Sequence, residues 1–234
     1  MPDYKAIESK LMQALGGSRR PIAIAFLEAE PEGVEKFQGS QPSSCSFWRL
    51  AADGRTFYTV RADHHGCPVG AYTHQVNAMD QIAQLHETLE LMSNIGYIRL
   101  EEVGKVFTVE GSKPAILYAP LGDTPVEPSA VIVSGKASRV MLIAEAANRA
   151  GEMSNLPLLG RPTCMAIPAA IRNGGVASTG CIGNRIYTEI GDDELYISLR
   201  GSTIDRVAAE LDTIQSANQT LLTYHQERKA QLTS

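Results

Sequence analysis

The sequence has little of several features that would point directly to a function. Its 21 Lys and Arg residues are outnumbered by 26 Asp and Glu residues, which gives a net charge of −5. A chain without a basic excess has no field to hold a phosphate backbone, so nucleic acid is not an expected partner. Its longest apolar runs, such as residues 115–121, fall far short of the roughly 20 residues that cross a bilayer. We therefore expect neither a nucleic-acid-binding nor a membrane protein.

Several catalytic and metal-binding motifs are also missing. The glycine-rich residues 174–180 have neither the Gly-Lys-Ser/Thr ending of a P-loop nor the Gly-x-Gly-x-x-Gly spacing of a dinucleotide-binding turn. No His-Glu-x-x-His, Gly-x-Ser-x-Gly or Cys-x₂₋₄-Cys pattern occurs. The acidic N-terminus shows no apolar segment of a secretory signal, so a reducing cytoplasm is the expected location. There the four cysteines are expected as thiols or ligands rather than as disulfides.

The patterns that are present predict one α/β domain over residues 1–234, with α+β as the alternative. Apolar residues at helical spacing predict helices over 4–15 and 202–230, and short apolar runs bounded by turn residues predict buried strands. The alternation of the two predicts a mixed sheet with helices packed on it. Around His225 the last helix is polar, so it either contacts another subunit, giving a homo-oligomer, or is solvated.

The positions of the cysteines suggest an internal duplication. Cys45 and Cys164 each open a short helical segment, which a glycine turn and a strand-like segment follow. Cys67 and Cys181 come next, each between two nearby glycines. An apolar strand also precedes each copy, so the repeating unit reads strand, Cys, helix, strand, Cys. The halves would span about residues 20–110 and 111–200, and a pseudo-twofold axis between them could bring the four sulfurs together.

Four segments of the chain, taken together, resemble a known family. Residues 45–54, 65–72, 178–187 and 217–225 are similar to the bacterial and archaeal proteins of domain of unknown function 169. This resemblance implies that all four cysteine positions are typical of the family, but it supplies no settled activity. Many members carry Cys-Tyr-Gly-Cys-Arg where this chain has residues 181–185, so the second cysteine of that motif is replaced by Asn184.

The leading functional hypothesis is a cysteine-ligated redox or metal cofactor. Four sulfurs from four separate turns match the ligand count of a cubane iron–sulfur cluster or of a tetrathiolate zinc site. We favour the iron–sulfur cluster, because structural zinc usually takes closely spaced cysteine pairs and a larger cluster can bridge distant loops. Two arginines, each four residues after a cysteine, could hold an anionic ligand or neutralise the cluster. The predicted ligands are Cys45, Cys67, Cys164 and Cys181, with Arg49 and Arg185 as further cofactor-binding residues.

Three other interpretations stay open at this stage. The cysteines could be buried packing residues, which free thiols often are. The protein could be a cysteine-dependent enzyme acting on a small molecule, in which a helix N-terminus lowers the pKa of Cys45 or Cys164 and His64 or His65 is the base. It could also be a non-catalytic module that binds a small ligand. The sequence does not name a substrate, a reaction or a redox partner.

Overall fold

A computed structural model describes residues 1–17, 19–153 and 158–233. These residues form a seven-stranded mixed sheet with helices on both faces, which confirms the predicted α/β fold. The strands are β1 (Ile22–Leu27), β2 (Phe57–Val60), β3 (Ala115–Pro120), β4 (Ala130–Lys136), β5 (Leu158–Leu159), β6 (Val176–Ser178) and β7 (Glu194–Arg200). The helices are α1 (Tyr4–Leu15), α2 (Ser44–Ala52), α3 (Pro68–Thr73), α4 (Gln81–Asn94), α5 (Ala137–Arg149), α6 (Ala166–Asn173), α7 (Ile182–Thr188) and α8 (Ile204–Thr233).

The two terminal helices show how local sequence sets element boundaries. Helix α1 begins where the Asp3 carboxylate accepts the Ala6 N–H, and it ends at Gly16 in the left-handed conformation. Helix α8 begins at Ile204, two residues later than predicted, because residues 201–203 form a 3-10 turn. The capping residues therefore fixed the start of one helix, whereas a tighter turn shortened the other.

Alternating strand residues divide the core between the two faces of the sheet. Ala23 and Val131 point to the face covered by α1, α5 and α8, whereas Ile24 and Ile132 point to the face covered by α2, α3 and α6. The second face is rich in aromatic rings, and it also buries Cys45 and Cys164. Because β1 and β4 are apolar on both faces, they lie at the centre of the sheet.

The strand order has the symmetry expected from the predicted duplication of the strand-Cys-helix-strand-Cys unit. The order is β2-β3-β1-β4-β7-β6-β5. Outward from the central β1–β4 pair, the order is β1-β3-β2 on one side and β4-β7-β6 on the other. The two orders are the same when β1, β2 and β3 are matched with β4, β6 and β7, respectively. Every pairing among these six is antiparallel. An approximate twofold axis therefore passes through the β1–β4 pair and relates a first unit (β1 to β3) to a second unit (β4 to β7).

The two units differ in the segment that connects their second short helix to the last strand. In the second unit α7 leads to β7 through residues 189–193, whereas in the first unit residues 74–114, which include α4, stand between α3 and β3. The sheet groups β3 with the first unit, so the units divide between β3 and β4. The sequence division at residue 110 instead left β3 in the second half.

Helix α8 continues well beyond the body of the protein. Its first two turns bury Ile204, Val207 and Leu211 against the sheet, but residues 219–232 are all exposed. The subunit contact predicted for this region stays a prediction. No helix among the described ranges is long and apolar enough to span a membrane.

Candidate functional site

The helices that carry the cysteines meet on the aromatic face of the sheet in a crossed arrangement. Helix α2 of the first unit packs against α7 of the second, and α3 of the first unit packs against the 3-10 turn Thr163–Met165 of the second. Each buried cysteine therefore lies beside the helix that follows the other unit's second cysteine. This crossing follows from the antiparallel β1–β4 pairing, which turns the two units toward each other.

In the first unit, one serine hydroxyl links the two cysteines. Ser43 is the N-cap of α2, and its Oγ accepts the Cys45 N–H at 3.2 Å. The same hydroxyl donates to the Sγ of Cys67 at 3.8 Å. Cys67 is itself the N-cap of α3, where its Sγ accepts the Gly70 N–H at 3.3 Å. The Cys67 sulfur therefore already receives two hydrogen-bond donors from its own unit.

Gly70 allows α3 to approach α2 closely enough to form this site. A Cβ at position 70 would lie 2.5 Å from the Ser44 Oγ and 2.9 Å from the Cys67 Sγ. Both distances are well inside van der Waals contact, so any side chain larger than hydrogen would separate the helices.

The second unit reproduces the first with a threonine. Thr163 precedes Cys164, and its Oγ1 accepts the N–H of Cys181 at 2.5 Å. Cys181 is the N-cap of α7, and its side chain caps no backbone N–H. In both units a hydroxyl residue before the buried cysteine therefore holds the loop of the second cysteine, although the bonded atoms differ.

Burial makes the two inner thiols hard to ionise. It raises the pKa of Cys45 to about 12, with a further increase from Cys67, while Asn184 and Ser43 oppose the rise. Burial likewise raises the pKa of Cys164, to which Cys45, Cys67 and Cys181 add. The prediction that a helix N-terminus lowers the pKa of these two cysteines is wrong, because removal from water outweighs the helix dipole. These effects place Cys45 and Cys164 within electrostatic reach of each other and of both Cys67 and Cys181.

The adjacent histidines do not serve as bases for these thiols. His64 is buried, and burial lowers its pKa to about 3. Its Nδ1 is hydrogen-bonded to the Ser44 hydroxyl and its Nε2 to the Thr59 hydroxyl, so both ring nitrogens are occupied. His65 is exposed, with its Nδ1 on the carbonyl of Ala62. The base role predicted for His64 is therefore wrong, because this histidine supports the packing of α2 against β2.

The two arginines following the cysteines are held by other protein groups. Arg49 forms ion pairs with Glu189 and Asp53. Arg185 donates to the backbone carbonyls of Thr179, Gly191 and Glu194. Neither arginine lines the cavity that opens over the cysteines.

This cavity has a volume of about 650 Å³, and all four cysteines line it. We call it the cysteine cavity. Its lining also includes Asn184 and apolar side chains of α4 and of residues 95–106. Asn184 is almost fully buried, and its amide makes no hydrogen bond of regular geometry, although it lies near the Cys45 thiol. The hydroxyl of Tyr118, near three of the thiols, is likewise buried and unpartnered.

The sulfurs are not arranged around a single ion. Within the described ranges, no group of three or more His, Cys, Asp or Glu side chains is placed to hold one metal ion. Zinc–sulfur bonds are about 2.3 Å long, so a tetrathiolate zinc site would need the sulfurs drawn together. The four cysteines instead share the lining of one cavity.

Sequence reasoning found the four cysteines but missed the residues around them. Ser43, Thr163 and Tyr118 carry no motif, and no motif marks α4 as part of a site. Asn184 did have a signal, because it stands where the resembling family carries a cysteine.

Comparison with known proteins places the chain in one family. No curated protein and no solved structure matches it. A family model described as Uncharacterised ArCR, domain of unknown function 169, matches residues 10–210 of the 234, a range that includes both units and all four cysteines. The chain therefore belongs to the uncharacterised ArCR family, domain of unknown function 169.

Proposed function

We propose that the protein binds an iron–sulfur cluster through Cys45, Cys67, Cys164 and Cys181 and serves in electron transfer. The observation that carries the proposal is the convergence of four thiols, two from each unit, in the lining of a single cavity. Four cysteine thiolates are the usual ligand set of such clusters, which exchange single electrons when bound.

The sequence spacing of the cysteines favours a cluster over an ion. Structural zinc usually takes closely spaced cysteine pairs, which this sequence lacks. A cluster is several ångströms across and can bridge sulfurs from separate loops.

The electrostatics of the thiols fit a cationic ligand. Burial raises the pKa of Cys45 and Cys164, so both are protonated at neutral pH unless positive charge is supplied. Arg49 and Arg185, the cations predicted to neutralise the site, are bound elsewhere. Iron would supply the charge that allows the thiols to lose their protons, as metals do at other thiolate sites.

The hydrogen-bond donors near the sulfurs would adjust the reduction potential. The Gly70 N–H and the Ser43 hydroxyl already donate to Cys67, and the unpartnered Tyr118 hydroxyl lies near Cys45 and Cys164. Donors to cluster sulfurs raise the potential by stabilising the reduced, more negative state. A reducing cytoplasm, our expected location, would preserve such a site.

The cysteine-dependent enzyme is the weaker alternative. It requires a thiol with a lowered pKa or a nearby base, but burial raises the pKa of Cys45 and Cys164, and both ring nitrogens of His64 are occupied.

Anaerobic reconstitution with iron and sulfide tests the proposal. We expect wild-type protein to retain both elements after desalting and to show the broad visible absorption of a cluster. Each of the Cys45→Ser, Cys67→Ser, Cys164→Ser and Cys181→Ser variants should lose most of the bound iron and sulfide.

His65→Ala is the matched control, because His65 is exposed near Cys67 but does not line the cavity. Circular dichroism would show whether each variant is folded. Wild-type protein that retains no iron, or folded serine variants that retain it in full, would overturn the proposal.

A further inference from the structure

The cysteine cavity is larger than the four sulfurs explain. Its volume of about 650 Å³ lies in the range of sites that enclose small organic molecules, roughly 300–1,000 Å³. The four cysteines make up a small part of its lining. Residues of α3, α4 and α7 and of the segment 95–106 make up most of the rest.

The wall that includes α4 is apolar and belongs to the first unit alone. Leu85, Leu89 and Met92, on one side of α4, face the cavity together with Val103 and Val106. These residues come from the segment 74–114 between α3 and β3, which residues 189–193 replace in the second unit. An apolar wall of this kind recognises an apolar ligand body, because water leaves both surfaces on binding.

The lining also carries a buried amide. Asn184 is 1% exposed and lines the cavity, and its Oδ1 and Nδ2 make no hydrogen bond of regular geometry, although the amide lies close enough to the Cys45 thiol and the Tyr196 hydroxyl to affect their pKa. A buried amide without well-formed hydrogen bonds is unfavourable. A ligand that offers a matching donor and acceptor would remove this penalty.

Three charged residues also line the cavity, namely Glu102, Lys105 and Arg161. Arg161 forms an ion pair with Glu102 at 3.2 Å, and its guanidinium lies over the Tyr97 ring at 4.8 Å. Apolar side chains outnumber these charged ones, so the lining favours a ligand that is mostly apolar.

We propose that the cysteine cavity binds a largely apolar small molecule with one amide-like polar group, which pairs with Asn184 while the apolar body lies against α4. This site places the molecule next to the sulfurs. The proposal goes beyond cluster binding and does not depend on it, since the wall and Asn184 are present with or without iron.

Two probes of similar size separate the contributions of the wall and of the amide. They are 2-naphthamide and 2-ethylnaphthalene, whose binding to the full chain would be measured by fluorescence titration before and after anaerobic reconstitution. We expect saturable binding of both, with 2-naphthamide bound about tenfold more tightly, the ratio that corresponds to 1.4 kcal/mol.

Variants assign these effects to residues. Leu89→Asp places a charge on the half-buried wall and should weaken both probes more than tenfold. Asn184→Leu should bring the affinities of the two probes within about twofold of each other, and Asn184→Ala serves if that variant does not fold.

Leu222→Asp is the control, because Leu222 lies on the exposed part of α8. The absence of saturable binding, unchanged binding by Leu89→Asp, or a naphthamide preference that persists in the folded Asn184 variants would overturn the proposal. If the protein takes up no iron but still binds both probes, the cavity proposal is supported and the cluster proposal is not.

Discussion

The two units of this protein place their cysteines in the same way but surround them differently. In both, a helix carries the buried cysteine and a second helix begins at the more exposed one, with a hydroxyl residue holding the two together. Only the first unit adds α4, which forms the apolar wall of the cavity. The comparison indicates that the duplicated scaffold positions the sulfurs, whereas a segment present once decides what else can bind beside them.

The units also differ in their buried polar groups. His64 and His74, both in the first unit, are buried, and burial lowers the pKa of His64 to about 3 and of His74 to about 4. The second unit has no histidine. Acid should therefore act on the first unit more than on the second.

Lowering the pH should cause the largest change in the free energy of unfolding, and it should act mainly through the first unit. Because the pKa of each buried histidine is lower in the folded state, the unfolded chain binds more protons below pH 6.5. The stability from neutral burial is therefore present above pH 6.5 and is lost progressively toward pH 4. Between pH 7 and pH 5 we expect the two histidines together to lower the free energy of unfolding by about 4 kcal/mol, measured by urea denaturation.

Substitution separates the histidine contribution from that of the carboxylates. Both ring nitrogens of His74 lack partners, so His74→Leu should fold and should lose about 2 kcal/mol less than wild type over the same pH range. His65→Gln, at an exposed position, should match wild type. Equal pH dependence in His74→Leu and wild type would contradict the assignment.

Alanine at one glycine in each of the helices that follow the second cysteines, Gly70 in α3 and Gly183 in α7, should have different effects. At Gly70 the new Cβ would lie 2.5 Å from the Ser44 Oγ, so Gly70→Ala should lower the free energy of unfolding by about 3 kcal/mol. At Gly183 the nearest atom to a new Cβ is 3.7 Å away, so Gly183→Ala should be neutral or stabilising by up to about 1 kcal/mol. Urea denaturation of both variants measures the difference. If Gly70→Ala lowers the free energy of unfolding no more than Gly183→Ala does, α2 and α3 are not closely packed at Gly70.

The hydroxyl residues before the buried cysteines should contribute nearly equally. Ser43→Ala removes the N-cap of α2, and Thr163→Val leaves the Cys181 N–H unpaired. Each should lower the free energy of unfolding by about 1 kcal/mol. Ser9→Ala, on the exposed side of α1, should change it by less than about 0.5 kcal/mol. A large effect in one unit alone would mean that these residues are not equivalent.

Removal of residues 215–234 should have the smallest effect on folding. Nearly all the described residues beyond 214 are at least partly exposed, so the free energy of unfolding should change by less than about 0.5 kcal/mol. If α8 mediates the predicted homo-oligomer, the full chain should sediment as a dimer and the shortened chain as a monomer. Monomeric full-length protein would contradict the predicted contact.

Much of the fold could be predicted because it depends on local patterns. Tyr4, Ile7 and Leu11 repeat at helical spacing and form α1, and the apolar run at residues 130–133 forms most of β4. The unequal spacings between the cysteines did not hide the duplication, since each cysteine stayed at the start of a helix.

The environment of individual side chains could not be predicted in this way. His64 is a candidate base in the sequence because it stands near Cys67, yet it is buried between the hydroxyls of Ser44 and Thr59. Arg185, near Cys181 in sequence, instead donates to backbone carbonyls around Gly191 and Glu194. Proximity along the chain does not determine the direction in which a side chain points.

The sequence by itself determined the α/β class, the repeated unit and the four cysteines, because periodicity and capping act over a few neighbouring residues. Only the tertiary structure decided that the units cross, bringing Asn184 beside Cys45 and Thr73 beside Cys164. It also decided that α4 lines the cavity over the sulfurs. These contacts join residues more than 90 positions apart, and they depend on the antiparallel register of β1 with β4, which no local pattern specifies.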